Sequence, residues 1–151
     1  MLGVILLLMS SSFTFSEDPG PTNFYKGSYD NMLREAMKQK KPVLLEFWAS
    51  WCGPCKKLDA ETFSDKKLAG FLNENFILYR VDIDSADGME IVEKFNVEVF
   101  PTMLVADYRG RGVSQLQGFY SAGYLEKALK NIDEQHNLFH ASVDKQDYVF
   151  N

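Results

Sequence analysis

The chain has 151 residues, enough for a single domain with modest extensions and a substantial hydrophobic core. It is 46% hydrophobic and 25% charged, a composition typical of soluble globular proteins. The formal net charge of −5 argues against a general nucleic-acid binder, because there is no basic surplus to displace counterions from phosphates. The two cysteines are too few for a disulfide framework, so the fold has to be stabilised by its core.

The first residues of the chain differ from the rest. Residues 1–16, MLGVILLLMSSSFTFS, combine an apolar run with small residues before Glu17, a pattern that resembles a secretory signal peptide cleaved after Ser16. We therefore expect an exported protein, periplasmic or extracellular. Because the segment carries no Lys or Arg, an uncleaved membrane anchor or a frayed or docked N-terminal segment stays open as an alternative. Residues 17–27, rich in Pro, Gly and polar side chains, are predicted to be a linker.

The first half of the domain has clear helix and strand signals. Ser28 is predicted to cap a helix that ends before Pro42. Residues 43–48 form an apolar run that hardly alternates, which is typical of a central parallel strand covered on both faces. A helix follows from the cysteines, and Ser64 is predicted to cap either a second helix or a kinked continuation of the first.

The second half alternates in the same way. Residues 76–83 are predicted to be a strand and residues 85–95 a short helix. Residues 101–108 and 113–119 are predicted to form two strands joined by the glycine-bearing turn RGRG, and Ser121 to cap a last helix. The order predicts an α/β fold over residues 28–131, with a mixed central β-sheet sandwiched by helices. Residues 132–151 are expected to be a C-terminal extension, helical or loose.

The cysteines, Cys52 and Cys55, are compatible with three roles. As a staple they would close a four-residue loop, which removes little unfolded-chain entropy, about 2 kcal/mol. As zinc ligands they would need His136 and His140, whose spacing fits, but Pro54 between the cysteines and the strand-to-helix junction around them are unlike a zinc knuckle. As a redox couple they would stand where a strand passes into a helix.

The redox interpretation explains most about this segment. Cys52 is predicted at the exposed N-terminus of a helix, where unpaired backbone N–H groups and the helix dipole stabilise a thiolate. Cys55, one turn along, is close enough to attack a mixed disulfide formed on Cys52. Pro54 between them removes no N–H that the first turn needs, and it makes the spacing rigid. Cys52 is therefore the predicted nucleophile and Cys55 the predicted resolving thiol.

The stretch FWASWCGPCK, residues 47–56, resembles the active-site motif of the thioredoxins almost residue for residue. The resemblance runs from about residue 28 to 131, and VFPT, residues 99–102, is similar to the family's cis-proline loop. The flanking sequence is more similar to the C-terminal, periplasmic domain of the DsbD thiol reductases and to related exported thioredoxin-like proteins. The resemblance implies a thioredoxin fold and a substrate-binding surface beside the cysteines, formed by Trp51, Gly53, Pro54, Phe100, Pro101 and Gly118.

Glu46 is an acid within the otherwise apolar run of residues 43–48. Its simplest interpretation is a partly solvated acid near the end of a strand, or the partner of a nearby base. The resemblance implies that it is instead the buried acid beneath the cysteines, where thioredoxins usually have Asp, and that Arg80 occupies the place of the family's buried lysine. Burial would raise the pKa of Glu46 and let it accept a proton from Cys55, while Arg80 would favour its ionised form.

These observations predict a protein-disulfide reductase that acts outside the cytoplasm without a metal and without a cofactor beyond the Cys52–Cys55 redox couple. Its expected partners are disulfide-containing substrate proteins and a membrane thiol-reductant donor, and the protein is expected to be a monomer that binds no nucleic acid. Gly-Pro between the cysteines resembles the reducing thioredoxins, whose reduction potential is about −270 mV. A disulfide isomerase or oxidase, a non-catalytic peptide-binding or chaperone module, and metal delivery by the dithiol stay open as alternatives.

Overall fold

The computed structural model describes residues 20–139. The predicted signal peptide and the last part of the predicted extension, residues 140–151, lie outside the described residues. The helices and strands are α1 (Tyr29–Gln39), β1 (Val43–Trp48), α2 (Gly53–Leu58), a π-helical turn (Asp59–Phe63), α3 (Lys66–Asn75), β2 (Ile77–Asp82), α4 (Ala86–Phe95), β3 (Thr102–Ala106), β4 (Gly112–Gln117) and α5 (Ala122–His136). Within residues 20–139, no helix is long and apolar enough to cross a membrane.

The strands form one four-stranded sheet in the order β2-β1-β3-β4. β1 pairs in parallel with β2 and antiparallel with β3, and β3 and β4 form an antiparallel hairpin. The predicted mixed sheet is therefore confirmed. β1 lies inside the sheet between two neighbours, which is why its residues are buried from Val43 to Phe47.

The core consists of two apolar layers, one on each face of the sheet. One layer packs side chains of α3 and α5, such as Leu72 and Leu129, against Leu44 of β1. The other packs side chains of α1 and α4, such as Met32 and Ile91, against the opposite face. Helices therefore cover both faces, as the predicted sandwich requires.

The start of α3 differs from the prediction by one residue. Asp65, not Ser64, is the N-cap, and its carboxylate accepts a hydrogen bond from the backbone N–H of Leu68 at 2.8 Å. The hydroxyl of Ser64 donates instead to the carbonyl of Ala60 at 2.6 Å, so Ser64 completes the π-helical turn. That turn separates α2 from α3, and the helix after the cysteines is therefore interrupted.

The segments on either side of the predicted domain also contact it. The backbone N–H of Tyr25, within the predicted linker, donates to the carbonyl of Leu78 in β2 at 2.8 Å. At the other end, α5 continues beyond residue 131 to His136, and Leu138 is buried against the α3/α5 layer. Parts of residues 17–27 and 132–151 thus pack on the domain.

Candidate active site

The two cysteines lie where the chain leaves β1 and begins α2. Cys52 is the N-cap of α2, and its Sγ accepts a hydrogen bond from the backbone N–H of Cys55 at 3.2 Å. The two sulfur atoms are joined in a disulfide with an S–S distance of 2.03 Å. Gly53 and Pro54, both exposed, form the first residues of the helix, where a proline removes no intrahelical hydrogen bond.

Cys52 lies at the N-terminus of α2, as the prediction has it, but its own side chain is buried in this oxidised form. Cys52 is 4% exposed and Cys55 is 1% exposed. Together with Ala49 they form a small apolar cluster, against which Trp48 and Phe100 pack. The N-terminus of α2 is at the surface, but the disulfide lies beneath these side chains.

The predicted substrate-binding residues surround this cluster. Pro101 follows a cis peptide bond with Phe100, and its carbonyl accepts a hydrogen bond from the backbone N–H of Gly118 at 2.7 Å. Gly118 has φ +86°, and a Cβ atom built there would meet nothing within 4 Å. Glycine is therefore favoured here by its backbone conformation, and the space beside it is open.

Trp51, which directly precedes Cys52, has a side chain that is 64% exposed. Its indole N–H donates to the carboxylate of Asp84, at 2.9 Å to Oδ2. The hydrogen bond holds the ring at the surface, so a flat apolar face remains available beside Cys52.

Glu46 is fully buried in β1, directly opposite Arg80 of β2 in the parallel register. The Arg80 Nε donates to Glu46 Oε2 at 2.6 Å, whereas Oε1 is buried and has no hydrogen-bond partner among the described residues. Burial raises the pKa of Glu46 to about 7, although the positive charge of Arg80 and its hydrogen bond act in the opposite direction. Arg80 favours the ionised form of Glu46, as expected, but burial has the larger effect on the pKa of Glu46.

Arg80 connects this buried acid to the surface. Its side chain is 28% exposed, and it also donates to the carboxylate of Asp59 in the π-helical turn. Burial acts against the charged guanidinium, but the carboxylates of Glu46 and Asp59 outweigh it and raise the pKa of Arg80. Glu46, Arg80 and Asp59 form one hydrogen-bonded chain of charges, and the two ends of that chain differ strongly in exposure.

Several residues of this arrangement are absent from the predicted site. Asp59 follows Cys55 by four positions, so helical spacing was a signal that could have placed it near the site. Asp84 lies in the loop after β2, and nothing local in the sequence indicates that its carboxylate binds the Trp51 indole. Trp48 is partly exposed, and its ring centroid lies 5.1 Å from the guanidinium carbon of Arg80. Phe24 stacks on the same guanidinium at 4.6 Å, and nothing local in the sequence indicates it.

The zinc interpretation requires His140 as well as Cys52, Cys55 and His136, so it extends beyond residues 20–139. Within residues 20–139, no group of three or more His, Cys, Asp or Glu side chains is placed to hold a metal ion. His136 is the last residue of α5, and His140 lies outside the described residues.

Comparison with known proteins gives consistent results. A family profile described as a thioredoxin-like domain matches residues 29–133. The thiol:disulfide interchange protein DsbD of Campylobacter jejuni is 32% identical over 107 residues, which is 70% of this chain and 19% of that protein. DsbD of Yersinia pestis is 35% identical over 100 residues, 64% of this chain and 17% of that protein. The chain thus spans less than a fifth of the length of these relatives.

Solved structures agree on the architecture. A protein from Bacteroides thetaiotaomicron assigned as a disulphide-isomerase is 30% identical, with a TM-score of 0.68 over 76% of this chain and 94% of that one. A thioredoxin from Thermus thermophilus is 18% identical, with a TM-score of 0.66 over 87% of this chain and 100% of that one. At that level of identity the second similarity supports the fold alone, and both structures have the thioredoxin fold.

Proposed function

Because the chain belongs to the thioredoxin-like domain family, we propose that it is a thiol–disulfide oxidoreductase that reduces protein disulfides through Cys52 and Cys55. The observation that carries this proposal is the position of the cysteine pair. The Sγ of Cys52 already accepts a backbone N–H at the start of α2, and the same hydrogen bond would stabilise a thiolate there. A disulfide that served only as a staple would gain nothing from this position.

The reaction begins with the reduced dithiol. The Cys52 thiolate attacks one sulfur of the substrate disulfide, a mixed disulfide forms, and one substrate thiolate leaves. Cys55 then attacks Cys52 Sγ, releases the second substrate thiolate and leaves the Cys52–Cys55 disulfide. Two electrons pass from the dithiol to the substrate, so no other redox group is required.

Glu46 is proposed to take the proton of Cys55 when that thiol attacks. The raised pKa supports this role, because a base whose pKa is about 7 is matched to proton transfer at neutral pH. Glu46 Oε1 is a further support, since it has no hydrogen-bond partner within residues 20–139 and is therefore available as an acceptor for that proton. Arg80 is the proposed charge partner that keeps part of the Glu46 population ionised.

The substrate is proposed to lie across the surface formed by Trp51, Phe100, Pro101 and Gly118. Trp51 would supply the apolar contact, because its ring is exposed and held by Asp84. The open space beside Gly118 and the exposed Gly53–Pro54 turn would admit an extended peptide segment next to Cys52. Each turnover leaves a disulfide, so the protein also needs a thiol donor.

We place this activity outside the cytoplasm on the strength of the signal-like pattern of residues 1–16. The donor there would be a membrane protein that passes electrons outward, since an oxidising compartment does not supply them. We expect the protein to act as a monomer.

An insulin-reduction assay tests the proposed activity. The full chain should reduce insulin with dithiothreitol as the donor, and Cys52→Ser should abolish turnover, whereas Glu90→Gln, an exposed change on α4, should not alter it. A rate of insulin reduction that is the same with the unmodified protein, with Cys52→Ser and with dithiothreitol alone would exclude the redox role and favour a non-catalytic peptide-binding module.

Disulfide isomerisation is the second candidate, because the similar protein of Bacteroides thetaiotaomicron is assigned to that activity. The equilibrium with glutathione distinguishes the two candidates. A reduction potential near −270 mV would support the reductase, whereas one above about −180 mV would favour an isomerase or oxidase.

A further inference from the structure

Phe24 lies in the segment that precedes the domain, yet it is fixed against β2. It forms a parallel bridge with Leu78, and the neighbouring Tyr25 donates its backbone N–H to the Leu78 carbonyl at 2.8 Å. The hydroxyl of Thr22 donates to the carbonyl of Phe63 at 2.6 Å. The Phe24 ring also packs edge-on against the Phe63 ring, with centroids 5.2 Å apart. The segment is therefore anchored by its backbone and by its side chains.

This anchoring places the Phe24 ring on the guanidinium of Arg80. The guanidinium carbon is 4.6 Å from the centroid of Phe24 and 5.1 Å from that of Trp48. Both distances are within the range in which a cation is attracted to the face of an aromatic ring. The Arg80 side chain has several rotatable bonds, and the two rings together restrict the conformations that it can adopt.

The position of Arg80 matters because of what surrounds Glu46. The charged groups that act on Glu46 are Arg80 from β2 and Asp59 from the π-helical turn. Opposite Glu46 on β3 lies Met103, which is uncharged, and Cys55 of α2 is in a disulfide. Arg80 thus supplies the positive charge in this set, and its Nε has to stay near Oε2 to oppose the effects of burial and of Asp59.

We propose that Phe24 is a positioning residue of the redox site, which holds Arg80 against Glu46 and so sets the pH range in which Glu46 can accept a proton. The role in catalysis rests on the proposed function, whereas the effect on the titration of Glu46 does not. Residues 22–25 are then part of the site and not merely a linker. The ring acts only through Arg80, and it makes no contact with the reacting sulfur atoms in this proposal.

Phe24→Leu in the full chain tests this role, because leucine keeps an apolar cover and removes the aromatic face. The matched control is Phe71→Leu, since Phe71 also packs edge-on against another ring and has a cation, Lys130, 5.2 Å from its centroid. Phe71 lies in α3 and contacts neither Arg80 nor Glu46 in the interactions described. Phe24→Tyr keeps the ring and should behave like the unmodified protein.

The primary measurement is the NMR titration of the Glu46 carboxyl carbon in the oxidised protein. Phe24→Leu should raise the pKa of Glu46 by about half a unit or more, because a less restrained Arg80 opposes the burial less. Phe71→Leu and Phe24→Tyr should leave it unchanged. An identical Glu46 titration in Phe24→Leu and the unmodified protein would overturn the proposal.

A second replacement guards against a folding defect. Pentafluorophenylalanine at position 24 keeps the shape of the ring but reverses its attraction for a cation, so it should also raise the pKa of Glu46. If Phe24→Leu does not fold, this variant decides, and an unchanged titration contradicts the proposal. Activity gives a second readout. As the pH is lowered, stoichiometric insulin reduction should begin to slow at a higher pH in Phe24→Leu than in Phe71→Leu. A displaced Glu46 titration in a protein that reduces no insulin would support the positioning role and contradict the proposed function.

Discussion

Replacing Glu46 with glutamine should stabilise the oxidised protein above neutral pH. Burial raises the pKa of Glu46 from its ordinary 4.5 to about 7 in the folded state. Between these two pH values the folded protein holds a proton that the unfolded chain has already released, so the free energy of unfolding falls as the pH rises. The free energy of unfolding stops falling once the pH is above the pKa of Glu46 in the folded state. At about 1.4 kcal/mol per pKa unit, the loss is about 3 kcal/mol.

Glutamine has nearly the shape of protonated glutamic acid and does not titrate in this range. Glu46→Gln should therefore differ from the unmodified protein by a nearly constant amount at pH 4 to 4.5. Its relative stability should then increase by about 3 kcal/mol by about pH 8. Most of the increase should occur between the ordinary pKa and the folded one.

Urea unfolding of the two oxidised proteins at several pH values measures this difference directly. Glu90→Gln is the matched control, because it makes the same chemical change at an exposed position of α4. A stability difference between Glu46→Gln and the unmodified protein that stays constant from acid to alkaline pH would refute the reasoning. A difference that decreased with pH would mean that Arg80 outweighs burial.

Three further predictions address the cysteines, the surface and the backbone. Cys55→Ser should trap a mixed disulfide between Cys52 and the substrate, visible as a band of higher mass on a non-reducing gel; its absence would contradict the assigned order of attack. Trp51→Ala should raise the KM for insulin several-fold while changing the free energy of unfolding by less than about 1 kcal/mol, because the ring is 64% exposed. Gly88→Ala should destabilise the fold more than Gly118→Ala in thermal unfolding, because a Cβ at Gly88 would lie 1.8 Å from a backbone oxygen whereas at Gly118 only the positive φ is unfavourable. Equal effects of the two glycine changes would contradict that account.

The fold was predictable from the sequence wherever its signals are local. Ser28 caps α1 through a hydrogen bond within its own turn, and the apolar run of residues 43–48 needs no distant partner to be recognised as a buried strand. The π-helical turn is different. The hydroxyl of Thr62 within it donates to the carbonyl of Tyr120, 58 residues away, and no local pattern indicates that contact.

The candidate site likewise has some features that the local sequence predicts and others that depend on distant contacts. The cysteines and the N-cap position of Cys52 follow from the motif and from the strand-to-helix junction. The burial of Cys52 does not, because Phe100, which packs beside it, comes from a loop that the sheet brings close. The contact of Phe24 with Arg80 is equally non-local, since it depends on the register of residues 22–25 along β2.

The π-helical turn determines which changes of chain length the redox helix can absorb. A π-turn contains one residue more than the corresponding α-helical turn. The π-helical turn therefore takes up one extra residue, and both the inner side of α2 and the side chain of Phe63 stay buried. A deletion of one residue within residues 59–63 should restore a regular helix and leave the cysteines facing as they do now. A deletion between Cys55 and Leu58 would instead rotate the cysteines by about 100° relative to the core. Insertions and deletions among related chains should accordingly occur in the π-helical turn and not in α2.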